Sequence, residues 1–388
     1  MGYTVKPEIC STETPPISES FSWLPQGETG QAPVILSQAV PNYPPAAELQ
    51  EHVAKLSGEP ATSLYTDILG LEPLRDAFAA HLSADYGADL LPGDVAITAG
   101  GNQAFCLAMM AIAQSGDNVI VPSPYFFNHQ MWFDMQAIEV RHLQCRADNA
   151  MQPSVEDAAR LIDSRTRAMV LVSPNNPTGA VYPPALLEQM FDLCAGHGLA
   201  LLIDETYKDF RGFPEPAHQL FSRPDWRDTF IHLHSFSKSF SLTGYRAGGM
   251  AASPELIGHV EKLLDCVAIC APHISQEAVL FGLRNLDTWR AGKVAEMADK
   301  LRALKSAFEN DALGYRMISS GAFFAYVEHP FERETSKDVA MRLARDHNLL
   351  VLPGSMFGQG QERFLRIAFA NAASSEMEEV VARLIASQ

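Results

Sequence analysis

Lys238 stands in the run Ser235-Phe236-Ser237-Lys238-Ser239, and Arg246 follows in Thr243-Gly244-Tyr245-Arg246. A lysine amine that has lost its proton attacks aldehydes, and nearby hydroxyls with a guanidinium are suited to holding a phosphate. The segment is therefore a candidate anchor for an aldehyde that carries a phosphate group. Asp204 and Tyr207, in Asp204-Glu205-Thr206-Tyr207, put a carboxylate and a phenol at the end of an apolar run. Glu205 lies one residue along, so on a strand it points to the other face and is expected as a solvated or salt-bridged neighbour. Asn176 lies in the turn sequence Asn175-Asn176-Pro177-Thr178-Gly179. Gly100-Gly101-Asn102 opens an apolar helical run, where free amides and the helix dipole suit an anion. Arg366 carries the planar fork that takes a carboxylate bidentately.

These groups need elements to hold them. Strands are predicted at Asp94–Thr98, Asn118–Val121 (stopped by Pro122-Ser123-Pro124), Ala168–Val172, Leu199–Ile203 and Phe230–His234. Amphipathic helices fall between them, including Gln103–Ala113 and Pro183–His197, the latter ended by Gly198. The polar candidates thus collect just past the carboxyl ends of strands, where open parallel sheets place their ligand crevices. Beyond residue 285, Val294, Met297, Leu301, Leu304 and Phe308 mark one long helix. Short strands at Gly321–Val327, Leu349–Leu352 and Phe364–Phe369 complete a smaller α+β unit. The division read from these patterns is an irregular arm over 1–48 joining the small domain, a large domain over 49–285 and a small domain over 286–388.

A net charge of -17 argues against nucleic acid or an anionic membrane as partner. Six cysteines without C-x-x-C spacing give no metal site and no disulfide framework. The first residues have no apolar signal core and no run is long enough to span a bilayer, so a cytoplasmic protein is expected.

In order and spacing, these motifs resemble those of the class I/II aminotransferases of the aspartate-aminotransferase superfamily, the pyridoxal-phosphate enzymes of fold type I. The resemblance covers residues 35–385. It implies an α/β fold, with a mostly parallel seven-stranded-type sheet between helices and a smaller α+β domain. It implies that Lys238 forms a Schiff base with the cofactor aldehyde and later moves a proton as the catalytic base. Asp204 would face the pyridine nitrogen, with Tyr207 and Asn176 at the phenolic oxygen. Ser235, Arg246, Gly100, Gly101 and Asn102 would hold the phosphate. Phe126, in Pro124-Tyr125-Phe126-Phe127-Asn128-His129, would stack on the ring, while His129 donates to Asp204 from behind. Arg366, assisted by Asn176, would clamp the substrate carboxylate. Tyr65, in Leu64-Tyr65-Thr66-Asp67, matches a tyrosine that reaches the neighbouring subunit's phosphate site, which implies a homodimer with shared active sites.

The chain departs from the family pattern in the arm, where Ala39 stands at a position that often holds glycine beside the substrate. The stretch Cys266–Pro272 has no arginine, although aspartate-specific members resemble one another in lending one from the partner subunit. A neutral, apolar or aromatic L-amino acid, exchanging its amino group with a 2-oxo acid in a ping-pong cycle, is therefore the expected substrate. A carbon–sulfur β-lyase on the same fold is the alternative.

Overall fold

The computed structural model describes residues 2–25 and 32–388; Met1 and residues 26–31 of the expected arm lie outside the described residues. Among the described residues the strands are β1 (Val34–Ile35), β2 (Val95–Thr98), β3 (Asn118–Ser123), β4 (Glu139–Gln144), β5 (Thr166–Val172), β6 (Ala200–Asp204), β7 (Phe230–Ser235), β8 (Gly248–Ala251), β9 (Arg316–Gly321), β10 (Phe324–Glu328), β11 (Leu349–Leu350), β12 (Leu352–Pro353) and β13 (Phe364–Ile367).

Seven strands form one sheet in the order β2-β8-β7-β6-β5-β3-β4. From β7 to β4 all neighbours are parallel, and β8 runs antiparallel to both β7 and β2. Side chains alternate between two apolar layers, because successive strand residues point to opposite faces. Met169, Leu171, Leu201 and Ile203 enter one cluster, while Val170, Leu202 and Leu233 enter the other. Burial on both faces is what makes β5 and β6 read as nearly unbroken apolar runs.

The strands β12-β13-β10-β9 form an antiparallel sheet. It packs with the helices Asp287–Ala307, Ser336–His347 and Met377–Ala386 around a separate apolar cluster that also takes Trp23 and Leu36 from the arm. The arm's strand β1 pairs in parallel with β11, Val34 opposite Leu349.

The structure corrects several expected elements. The arm is not wholly irregular: it carries the short helices Pro7–Ser11 and Pro16–Phe21, each opened by a proline whose fixed φ suits a first turn. Strand β3 continues through Pro122 to Ser123; its pairing with β5 has ended at Ile120, so the proline deprives no ladder partner on that side. The stretch expected as one strand from Gly321 is a hairpin, with β9 and β10 joined at Ala322-Phe323 and Ala322 in the left-handed region at φ 47°. Leu349–Leu352 divides at Val351 into two strands of different sheets, and β13 ends at Ile367. Strands β4 and β8 were not anticipated. The first is an edge strand whose apolar residues, Val140 and Leu143, are three apart and so break the two-residue alternation, and the second begins with the weak strand formers Gly248-Gly249.

Candidate active site

The parallel strands bring their carboxyl ends to one edge of the large sheet. Asp204 closes β6, Ser235 closes β7, and Asn176 follows β5 in the turn Asn175–Gly179. A cavity of about 350 Å³ opens there. Gly101, Asn102, Phe126, Asn176, Asp204, Tyr207, Ser235, Lys238, Arg246 and Arg366 all line it, together with Gln38, Ala39 and Val40 of the arm.

Ser235 caps the short helix Phe236–Ser239, its hydroxyl accepting from the Ser237 amide at 3.4 Å. That turn carries Lys238 into the cavity, where its Nζ donates to the carbonyl oxygen of Ala39 at 2.6 Å. Burial first, and then the Arg246 and Arg366 guanidiniums, push the Lys238 amine down to about 8, against the opposing pull of Asp204. Near neutral pH about a tenth of it is therefore an uncharged nucleophile, far more than for an ordinary lysine.

On one side of Lys238 the groups suit an anion. The helix Gly101–Ile112 starts at the cavity after Gly100, which sits at φ 91°, a conformation that favours glycine. A side chain on Gly100 would run into the Arg246 guanidinium, so the bare backbone lets the arginine lie across the helix start. Arg246 is braced by a bond from Nη1 to the Thr243 carbonyl at 2.9 Å. Amides at a helix start, the Ser235 hydroxyl and this guanidinium together make a phosphate cradle.

Asp204 is buried, and burial raises its carboxyl pKa despite a 2.9 Å bond from the Thr206 amide to Oδ1. His129 lies behind it with Nε2 3.8 Å from Oδ2, which is beyond hydrogen-bond reach, so the expected donation is not made in this structure. Burial holds the His129 ring near 3 and hence neutral. The ring is stacked on Phe105 and edge-on to Phe126. Phe126 rather than Tyr125 faces the cavity; Tyr125 stacks on His142. Tyr207 is buried between Phe323 and Phe324, and its hydroxyl is pushed up by that burial.

Arg366 is fully enclosed, over the rings of Phe324 and Phe357. It donates to Asn176 Oδ1 at 3.0 Å and to the Ser37 carbonyl, while Nε is buried without a partner. Burial lowers its pKa to about 10, which still leaves it charged. A fixed cation with an open donor can receive a carboxylate.

Tyr65 does not enter this cavity; it is 75% exposed beside the equally bare Leu64. Glu205, expected as a solvated or salt-bridged neighbour, is not solvated: it is completely buried on the far face of the sheet, with His218 and His232 each 3.1 Å from its carboxylate. The cavity also takes Thr206, Ser237 and Thr243, which the motifs did not single out, and Ile17 from the arm. Thr206 was recoverable from strand alternation with Asp204. Ile17 carried no signal, since its approach is made only by the tertiary fold.

The family model "Aminotransferase class I and II" matches residues 34–384. The chain is 28% identical over 360 residues to an aromatic aminotransferase of Arabidopsis thaliana, covering 91% of this chain and 89% of that protein. It is 28% identical over 356 residues to an arginine–pyruvate transaminase of Pseudomonas aeruginosa, with 90% and 88% covered. Its fold superposes on a mutant aspartate aminotransferase of Thermus thermophilus with a TM-score of 0.90 at 23% identity, the whole of both chains being covered.

Proposed function

The chain belongs to the class I and II aminotransferases, and on that premise we propose how its residues divide the work of moving an amino group between an L-amino acid and a 2-oxo acid. The enzyme is a transaminase dependent on pyridoxal 5′-phosphate. The residues lining the cavity fit that cofactor: an amine for its aldehyde, the cradle of Gly100, Gly101, Asn102, Ser235 and Arg246 for its phosphate, and the buried Asp204 for its ring nitrogen. When bound, the cofactor holds the substrate nitrogen and accepts the electron pair released at the substrate Cα.

Lys238 is assigned as nucleophile and then as the base that takes the Cα proton, a role its lowered pKa suits. The Ala39 carbonyl, 2.6 Å away, holds the free amine in place between these tasks. With the cofactor bound, Asp204 would face its ring nitrogen and hold it protonated, and Tyr207 and Asn176 would lie within reach of its ring oxygen. Phe126 covers one ring face, with His129 behind Asp204. Arg366, whose Nε is buried without a partner, is assigned to the substrate carboxylate. The observation that carries this reading is the convergence of Lys238, Asp204, Asn176, Tyr207, Arg246 and Arg366 on one cavity.

The substrate is assigned a neutral, apolar or aromatic side chain. Ile17, Val40, Phe126 and Phe127 give the cavity apolar walls, and its two arginines among the described residues are assigned to the anion cradle and to the substrate's α-carboxylate, which leaves neither for a side-chain carboxylate. The enzyme is assigned as a homodimer in which Tyr65 completes the neighbour's phosphate site. Exposed Leu64, Tyr65 and Val267 support this, the Leu64 carbonyl lying 3.2 Å from His273 Nδ1 so that the two segments are adjacent. The division into an arm (1–48), a cofactor-binding domain (49–285) and a small domain (286–388) belongs to the same proposal, supported by separate apolar clusters. Among the described residues no helix is long and apolar enough to cross a membrane. Six unpaired thiols support a reducing, cytoplasmic setting.

The test is the visible absorbance of the cofactor-loaded protein as L-amino acids are added singly. A band that changes with an apolar or aromatic amino acid and returns with a 2-oxo acid is the expected result. Ammonia release without transfer would instead revive the lyase alternative, which the relatives do not favour.

A further inference from the structure

The far face of β6 holds a buried polar cluster in the middle of an apolar layer. Leu201, Ile203 and then Glu205 point to this face, while Asp204 and Thr206 point into the cavity. Glu205 is fully buried, its side-chain bonds converge on Oε2, and Oε1 is buried without a partner. The Tyr86 hydroxyl, from the last turn of the helix Glu72–Tyr86, donates to it at 2.6 Å. His218 Nε2 bonds to it at 3.1 Å; since His218 Nδ1 accepts from the Leu220 amide at 3.2 Å, the donated proton sits on Nε2. From β7, His232 Nε2 lies 3.1 Å from the same oxygen. The Tyr86 and His218 rings stack at 4.6 Å, so the cluster is packed as well as bonded.

A carboxylate is costly to bury, and an apolar side chain would stabilise this layer at least as well. Its place in the chain is what distinguishes it. Glu205 follows Asp204 directly, and its own amide is fixed to the Leu233 carbonyl at 2.9 Å. Anchoring Glu205 from the helix, the His218 loop and β7 therefore fixes the backbone that aims both Asp204 and Tyr207. Burial would raise the Glu205 carboxyl, but the His218 and His232 rings outweigh it and hold the group anionic. Burial raises Asp204 most, the Thr206 bonds and then His232 oppose it, the Glu205 charge adds least, and His129 stands neutral at 3.8 Å.

We propose that Glu205 is a positioning residue for the transamination site: held by Tyr86 and His218 behind the sheet, with His232 packed alongside, its carboxylate fixes the backbone that orients Asp204 and Tyr207 toward the cofactor ring. The inference rests on the assignment of Asp204 to the ring nitrogen.

The experiment is a pH titration of the absorbance of bound pyridoxal phosphate in wild type, Glu205→Gln and Tyr86→Phe, with kcat and KM measured alongside. Removing the anchoring carboxylate frees the backbone that aims Asp204 at the ring, so the Glu205→Gln midpoint moves away from wild type by about half a unit or more. Tyr86→Phe keeps the charge and loses one anchor. Its midpoint stays with wild type, and kcat falls about threefold or more with KM unchanged. A Glu205→Gln midpoint within about 0.2 unit of wild type, or a Tyr86→Phe enzyme with unaltered kcat, overturns the proposal and leaves the cluster purely structural. Should Glu205→Gln fail to fold, Tyr86→Phe decides alone. Wild type that binds no cofactor would instead sink the site assignment itself.

Discussion

The Arg366 guanidinium donates to the Asn176 side-chain oxygen across 3.0 Å, joining β13 of the small sheet to the turn after β5 of the large one. The substrate carboxylate is thus expected to meet a cation whose direction is set from both sides. Arg366→Lys keeps the charge but loses the planar fork and the tie to Asn176. Its kcat/KM should fall about 100-fold, chiefly through KM. Steady-state kinetics with the preferred amino acid checks this, and an unchanged KM would remove Arg366 from the substrate site.

The Lys238 amine gives a pH prediction with a definite sign. Only the neutral amine captures an aldehyde, and the folded protein lowers its pKa from 10.5 to about 8. Cofactor-free protein should therefore bind pyridoxal phosphate faster as pH rises, levelling off above about 8. Below that point the rate should drop about tenfold per pH unit. Stopped-flow absorbance between pH 6 and 9 measures it, provided the cofactor's own ionisation is followed in parallel. A rate still climbing steeply at pH 9 contradicts the assigned environment.

Gly179 tests the contact between the two sheets. It sits at φ 71°, and a side chain there would lie 2.6 Å from the Phe324 carbonyl and closer still to the Gly321 amide. Gly179→Ala is expected to lower unfolding stability by about 2–4 kcal/mol, from strained φ combined with overpacking. Urea denaturation of the cofactor-free protein reads it; a loss below about 0.5 kcal/mol would mean the turn yields easily.

Tyr65→Phe probes sharing between subunits. Losing a hydroxyl bond to a phosphate should weaken cofactor binding about tenfold. Equilibrium dialysis supplies the value, and sedimentation gives the oligomeric state. A monomer, or unaltered cofactor affinity, is the outcome that would refute the shared site.

Much of the large domain was legible because β5, β6 and β7 are buried on both faces and end at residues that chemistry requires. Alternation placed Asp204 and Glu205 on opposite faces of β6, but it could not show what Glu205 meets. His218 and Tyr86 are brought to it by packing between segments far apart in sequence. The same holds for Ala39, read as a neighbour of the substrate: its carbonyl engages Lys238 only because β1 docks against β11. In the small sheet, apolar runs at 321–327 and 349–352 concealed chain reversal and strand exchange, since local turn signals there are weak.

The pairing of Val34 with Leu349 also sets an order of assembly. A ribosome releases the arm early, yet its strand has no partner until nearly the whole chain has been made. The large domain holds its local pairings and can mature meanwhile. Closing this long loop is therefore the step that delivers Ser37 and Ala39 to Arg366 and Lys238. Until then those two side chains have no arm above them, so the arm's arrival reports that synthesis has reached the small domain.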